Sequence, residues 1–180
     1  MHFARFAMLA AFPLLVAATV PEPDGYRLDA YNAPVPETLS GARTVDARAL
    51  ATAMSEGAIA IDVMPVPRRP PSLPQDRPWL PVPRKHVPGS LWWPEVGRGA
   101  ISPALDDWFR ARLGTVTGWD ETRPIAFYCK ADCWMSWNAA KRAISYGYRN
   151  VLWFLGGAEA WAAAGFELQP ATPEEVPLGP

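Results

Sequence analysis

The chain has 180 residues, with 17 Lys and Arg against 18 Asp and Glu, for a formal net charge of −1. That balance leaves no basic patch for nucleic acid and no acidic tail. Nine Trp call for a well-buried core or a broad aromatic contact surface, and 21 Pro mean that long stretches are neither helix nor strand. Met1 to Arg5 is short and basic, and residues 6–16 form an apolar run too short to span a bilayer. Val16-Ala17-Ala18 suits signal peptidase, so residues 1–18 read as a signal peptide cleaved near Ala18, the alternative being an uncleaved anchor. The mature protein is then expected in the periplasm, soluble and not spanning the membrane.

Residues 19–42 carry Pro21, Pro23, Pro34 and Pro36 and read as an extended arm pinned by Tyr26, Leu28, Tyr31 and Leu39. Asp46 caps a predicted helix over 46–56 that Gly57 stops. The apolar run 58–63 ends in Asp62-Val63 and has the pattern of a buried parallel strand. Residues 64–88 are dominated by Pro and Arg, a density that no regular element survives, although Trp79 and Leu80 suggest that part of this insertion packs down. The insertion could cover the site, present a polyproline surface to a partner, or be a solvated spacer. Residues 89–93 read as a brief strand.

Ser102-Pro103 opens the next helix, with Leu105, Trp108, Phe109 and Leu113 on its buried face and Gly114 as its end. Residues 124–128 form a strand, 136–146 a helix stopped by Gly147, and 151–155 another strand. Gly156-Gly157 turns into a last helix over 158–164, and the Pro-rich tail 169–180 is expected to be loose. This order predicts one α/β domain over 43–168, with a mostly parallel central sheet flanked by helices.

The only two cysteines lie in Tyr128-Cys129-Lys130-Ala131-Asp132-Cys133-Trp134, between a buried strand and a helix. Successive backbone N–H groups and the helix dipole favour a thiolate there, helped by Lys130 and opposed by Asp132. Cys133 has three readings: it resolves a Cys129 persulfide, forms a redox couple with Cys129, or closes a structural disulfide. The small loop would give that disulfide little entropic stabilisation. Two cysteines cannot make a four-ligand zinc site, His86 is the only histidine beyond the leader, and the haem-attachment pattern C-x-x-C-H is absent, so no metal or cofactor is expected. Asp62 either orients groups at the carboxyl edge of the sheet or bonds nearby backbone. His86 either stabilises the turn before Pro88-Gly89 or acts as a general base. Trp134 is expected as an exposed gate or contact residue, and Trp137 as core.

Five pieces in order resemble the rhodanese family: Ile61-Asp62-Val63, His86-Val87-Pro88-Gly89-Ser90, Tyr128-Cys129, Gly147-Tyr148-Arg149-Asn150-Val151, and Leu155-Gly156-Gly157 through Trp161. The fold implied is a rhodanese-like domain with a Pro-rich insertion at 64–88. Residues 22–39, the insertion and Cys129 to Arg142 resemble a narrower exported group, the PQQ-dependent catabolism-associated CXXCW motif proteins, whose spacing here is Cys-x3-Cys-Trp. The resemblance implies that Cys129 carries a persulfide in the loop of Lys130, Ala131, Asp132, Cys133 and Trp134. Trp134 stands where many sulfurtransferases have Arg, and Met64 where Arg often follows Asp-Val, so Lys130, Arg68, Arg69 or Arg84 would supply the lost charge. The implied partners are a small sulfur donor or acceptor thiol, and a PQQ-dependent dehydrogenase or c-type cytochrome. The alternatives are a thiol–disulfide accessory protein and a non-catalytic module docking on the same partners.

Overall fold

The computed structural model describes residues 19–177; the leader expected over 1–18 lies outside them. The elements in chain order are β1 (Ala42–Val45), α1 (Ala47–Ser55), β2 (Ile59–Asp62), β3 (Lys85–His86), β4 (Leu91–Trp92), α2 (Pro103–Thr117), β5 (Ile125–Tyr128), α3 (Trp134–Ser145), β6 (Val151–Phe154), α4 (Gly157–Ala163) and β7 (Gln169–Pro170). Five parallel strands form the central sheet in the order β1-β6-β5-β2-β4, and β3 pairs antiparallel with β7 beside it. This is the α/β architecture with a mostly parallel sheet that the sequence predicts.

The central strands are apolar except for Asp62 at the end of β2, because both sheet faces are covered. Alternate side chains go to opposite faces. Ile61, Ile125, Phe127, Val151 and Trp153 join Phe109 and Leu113 of α2 and Trp137 and Ala140 of α3 in one core. Ala60, Ala126, Tyr128, Leu152 and Phe154 join Leu50 of α1 and Trp161 of α4 in the other. Asp46 caps α1 through the Ala49 amide, and Ser102 caps α2 through the Leu105 amide.

Several expectations are corrected. Residues 43–45, to which the sequence assigns no element, form with Ala42 at the end of the arm the edge strand β1, paired with β6 although its residues show no apolar alternation. Helix α2 runs past Gly114 to Thr117 and is stopped by Gly118, whose φ is 67°. Gly114 instead makes room for the Trp119 ring, which would lie 2.5 Å from an added Cβ. The tail is tied down at its start: β7 pairs with β3, the Glu174 amide donates to the Trp92 carbonyl, and the Glu174 carboxylate accepts from Trp93 Nε1 and Arg112. Leu80 does not pack down, being 91% exposed.

Candidate functional site

The β2, β4 and β5 carboxyl ends bring Asp62, Trp92 and Tyr128 side by side, and the chain passes from Tyr128 directly into Cys129. Four residues later Cys133 is the N-cap of α3. The loop between them is held on two sides. The Ala158 amide donates to the Cys129 carbonyl at 3.3 Å, Lys130 forms a bridge with Gly157, and the Ala131 amide donates to Glu159 at 3.3 Å. On the other side Asn32 of the arm forms an antiparallel bridge with Cys133. The Ala33 amide donates to the Asp132 carbonyl and the Trp134 amide to the Tyr31 carbonyl, at 3.2 and 2.9 Å. Asp132 takes a φ of 50°, a left-handed conformation that Asp tolerates better than most residues.

Both thiols are free and covered, Cys129 at 0% and Cys133 at 3% exposure. The two thiols are neighbours in the loop, each acting on the ionisation of the other. The Cys129 sulfur otherwise lies 3.5 Å from the Cys133 carbonyl oxygen, 3.7 Å from the Lys130 carbonyl oxygen and 3.4 Å from Ser136 Oγ. Burial, then the adjoining Cys133 sulfur, pushes the Cys129 thiol well above its ordinary range. Cys133 is drawn down to about 7, first by the bond from Cys129 and against its own burial. The Met135 and Lys130 amides, turned toward its sulfur short of a full capping bond, and the Lys130 charge help. The site therefore polarises one thiol with the other, and Cys133 is the better thiolate.

Arg84 reaches in from the insertion. Its Nε and Nη2 donate to the two Asp62 carboxylate oxygens at 2.5 and 2.9 Å, and Nη2 also donates to the Cys129 carbonyl at 3.1 Å. Asp62 in addition accepts from the Met64 amide. Asp62 and Arg84 thus brace the backbone at Cys129, and the Arg84 guanidinium is committed to that pair. Arg68 is likewise paired, with Glu95, while Arg69 donates to the Pro74 and Arg77 carbonyls within the insertion. His86 sits elsewhere: Nδ1 faces Ser90 Oγ at 3.2 Å and Nε2 faces Gln169, in a buried network with the Tyr128 hydroxyl. Its partners make it a turn residue.

Trp134, expected as an exposed gate, is 3% exposed. Its Nε1 donates to the Pro34 carbonyl, its ring meets Trp137 edge-on, and Arg27 lies over it. The arm covers it, a tertiary contact with no local signal. Sequence reasoning also missed Ser136, which lies under Cys129, and Asn138, whose side-chain amide pairs with both backbone groups of Arg27 and so anchors the arm. Two surface clefts, of about 480 Å³ beside β1 and β6 and about 430 Å³ between the insertion and the tail, are lined by neither cysteine.

The buried Asp62 carboxyl carries a pH signature. Desolvation raises it from its ordinary 3.8 to about 6, against the pull of Arg84. A raised carboxyl binds its proton more tightly in the fold than in the unfolded chain. Its stabilisation is complete below about pH 4 and is lost as pH rises through about 6, a change on the order of 3 kcal/mol. In denaturant titrations across that window, wild type is expected to lose stability relative to Asp62→Asn; a difference that stays constant with pH would contradict it.

The Rhodanese-like domain family model matches residues 46–164. Similar solved structures include an uncharacterised protein from Saccharomyces cerevisiae, at 20% identity over 70% of this chain and 95% of that one, with a TM-score of 0.43. They also include the rhodanese-like domain of an Anabaena sp. protein, at 20% identity over 76% and 86%, with a TM-score of 0.46. SseA from Escherichia coli, a 3-mercaptopyruvate sulfotransferase, matches at 18% identity over 77% of this chain and 55% of its own, with a TM-score of 0.49. No curated protein matches the sequence. A family match that spans well over half of the 180 residues, from the cap of α1 through α4, makes this chain a member of the rhodanese-like domain family.

Proposed function

We propose that this protein handles sulfane sulfur through the Cys129–Cys133 pair, as an exported accessory to PQQ-dependent alcohol oxidation. The observation that carries the chemistry is that two free, buried thiols share one loop, the Cys129 sulfur 3.5 Å from the Cys133 carbonyl oxygen, with Cys129 pushed up and Cys133 drawn down. Export rests on the apolar leader, and the PQQ association on the resemblance of the arm, insertion and Cys-x3-Cys-Trp segment to the CXXCW group.

In this mechanism the Cys133 thiolate attacks the outer sulfur of a persulfide donor. A Cys133 persulfide forms and the donor leaves as its thiolate. The Cys129 sulfur, giving up its proton, then attacks the inner sulfur of that persulfide. The Cys129–Cys133 disulfide closes and hydrosulfide leaves. An external thiol reductant returns the disulfide to two thiols, supplying two electrons. This reading takes Cys133 first, where the resemblance implies Cys129, on the ground that Cys133 is drawn down while burial raises Cys129. Lys130, Ala131, Asp132 and Trp134 form the loop around it, and Arg84 with Asp62 braces the Cys129 carbonyl. Since both sulfurs are covered, a donor reaches Cys133 only when the exposed turn at Ala131 and Asp132, or the arm segment bridged to Cys133 at Asn32, moves aside.

The same pair of free thiols favours a second reading, dithiol–disulfide exchange with a protein partner such as a c-type cytochrome precursor or a dehydrogenase. It shares the closing step and differs in what Cys133 attacks. Intact mass spectrometry separates the two. On brief exposure to a sulfane donor, sulfur handling predicts a form heavier by one sulfur, then one lighter by two hydrogens with hydrosulfide released. If the disulfide forms with a protein disulfide oxidant while the sulfane donor neither adds sulfur nor releases hydrosulfide, exchange is the function.

A further inference from the structure

The sulfur of Cys129 has mostly acceptors around it. The Lys130 and Cys133 carbonyl oxygens lie 3.7 and 3.5 Å away, which suits a thiol, and the Lys130 amide is the backbone donor that offsets them. Yet for Cys129 to close onto Cys133 it must pass through the anion. One neighbour can change sides. Ser136 Oγ, 1% exposed on the first turn of α3, lies 3.4 Å from that sulfur. It lies 3.2 Å from the Cys133 carbonyl oxygen, to which it donates, and accepts the indole N–H of Trp153 at 3.1 Å. The indole fixes the oxygen while leaving the hydroxyl proton free to turn about one bond. With Cys129 protonated, that proton serves the Cys133 carbonyl; with Cys129 ionised, it can serve the sulfur.

We infer that Ser136 is a positioning residue for the resolving step, and that its Trp153-clamped hydroxyl supplies the hydrogen bond that the Cys129 sulfur needs when it gives up its proton to attack Cys133. This rests on the order of attack proposed above, with Cys133 first. The bond that forms is Cys129–Cys133, the one that breaks joins Cys133 to its adduct, and the leaving group departs as thiolate, hydrosulfide or thione. Ser136 makes and breaks no covalent bond. A hydrogen bond from Ser136 lowers the Cys129 thiol against its burial, the same direction of effect. Trp153, buried at the centre of β6, acquires a role beyond packing.

A neutral dipyridyl disulfide tests this on the full chain, releasing one chromogenic thione as Cys133 is modified and a second as Cys129 displaces the adduct. Ser136→Ala is expected to slow the second release about tenfold and to move its pH–rate curve up by about one pH unit. The first release should be unchanged. Trp153→Phe, which frees the oxygen without removing it, should act in the same direction and more weakly, and it carries the test if Ser136→Ala does not fold. Ser136→Thr keeps the hydroxyl and should retain the wild-type curve. The inference is overturned if Ser136→Ala, or Trp153→Phe in its place, changes both releases by the same factor or leaves the second pH–rate curve unmoved while lowering Tm. The probe carries no sulfane sulfur, so the result stands or falls separately from persulfide formation. If Cys133→Ser leaves the first release intact, the order of attack itself has failed.

Discussion

Cys133→Ser is expected to abolish sulfur loading, and Cys129→Ser to trap it. The physical basis is the difference between the two thiols. Cys133 is drawn down, toward the thiolate, whereas burial pushes the Cys129 thiol well above the ordinary range and holds its proton. Only the thiolate attacks. After exposure to a sulfane donor, Cys133→Ser should therefore keep its mass, with loading slowed at least ~100-fold. Cys129→Ser should become heavier by one sulfur and stay so until reductant is added, because nothing remains to displace the persulfide. The loading rate of Cys129→Ser should also fall somewhat, since the thiol that polarises Cys133 is gone. The opposite pattern, with Cys133→Ser stably loaded and Cys129→Ser inert, would return Cys129 to the first position that the strand–loop placement suggests.

Gly157→Ala is expected to be strongly destabilising for a single methyl. Gly157 has a φ of 61°, and an added Cβ would lie 2.6 Å from the Lys130 carbonyl carbon and 2.8 Å from the Lys130 nitrogen. Both are backbone atoms, held in place by the bridge between the two residues and by the Ala158 amide on the Cys129 carbonyl. No flexible side chain can yield, so either α4 or the cysteine loop must shift. Conformational strain and the displaced contact together should destabilise the protein by about 3 kcal/mol, roughly 10 °C in Tm. The loop is the less supported of the two, so Cys133 should also alkylate faster in the variant at temperatures where it remains folded. Gly118→Ala is the control: its φ is 67°, but nothing lies within 4 Å of an added Cβ, and the loss should be about 1 kcal/mol. Equal losses at the two positions would remove the case for a close approach of α4 to the loop.

Much of the fold was legible because the central strands bury both faces. Residues 58–63, 124–128 and 151–155 read as continuous apolar runs for that reason, and the capping residues Asp46 and Ser102 marked the helices that cover them. β1 was illegible because an edge strand needs only backbone partners, and Ala42-Arg43-Thr44-Val45 offers no apolar alternation. Gly114 misled because a glycine inside a helix looks like a stop until the Trp119 ring that requires it is seen. The two cysteines stood out by spacing and position, whereas Ser136, in the first turn of α3, carried no signal distinguishing it from any other small buried residue.

The sequence alone determined the α/β class, the strand–loop–helix placement of Cys129 and Cys133, and the presence of a Pro-rich insertion, since these follow from periodicity, capping and composition. The tertiary structure decided which charges meet the loop. Arg84 lies in the insertion and Asp62 at the end of β2, and only their convergence shows that the guanidinium braces the Cys129 carbonyl rather than standing free for an anion. It also decided that Trp134 is covered by the arm, and that burial raises the Cys129 thiol while the Cys133 thiol is drawn down. The physical reason is range. Propensity and pattern act over a few neighbouring residues, while burial, ion pairing and thiol ionisation depend on groups brought together from distant parts of the chain.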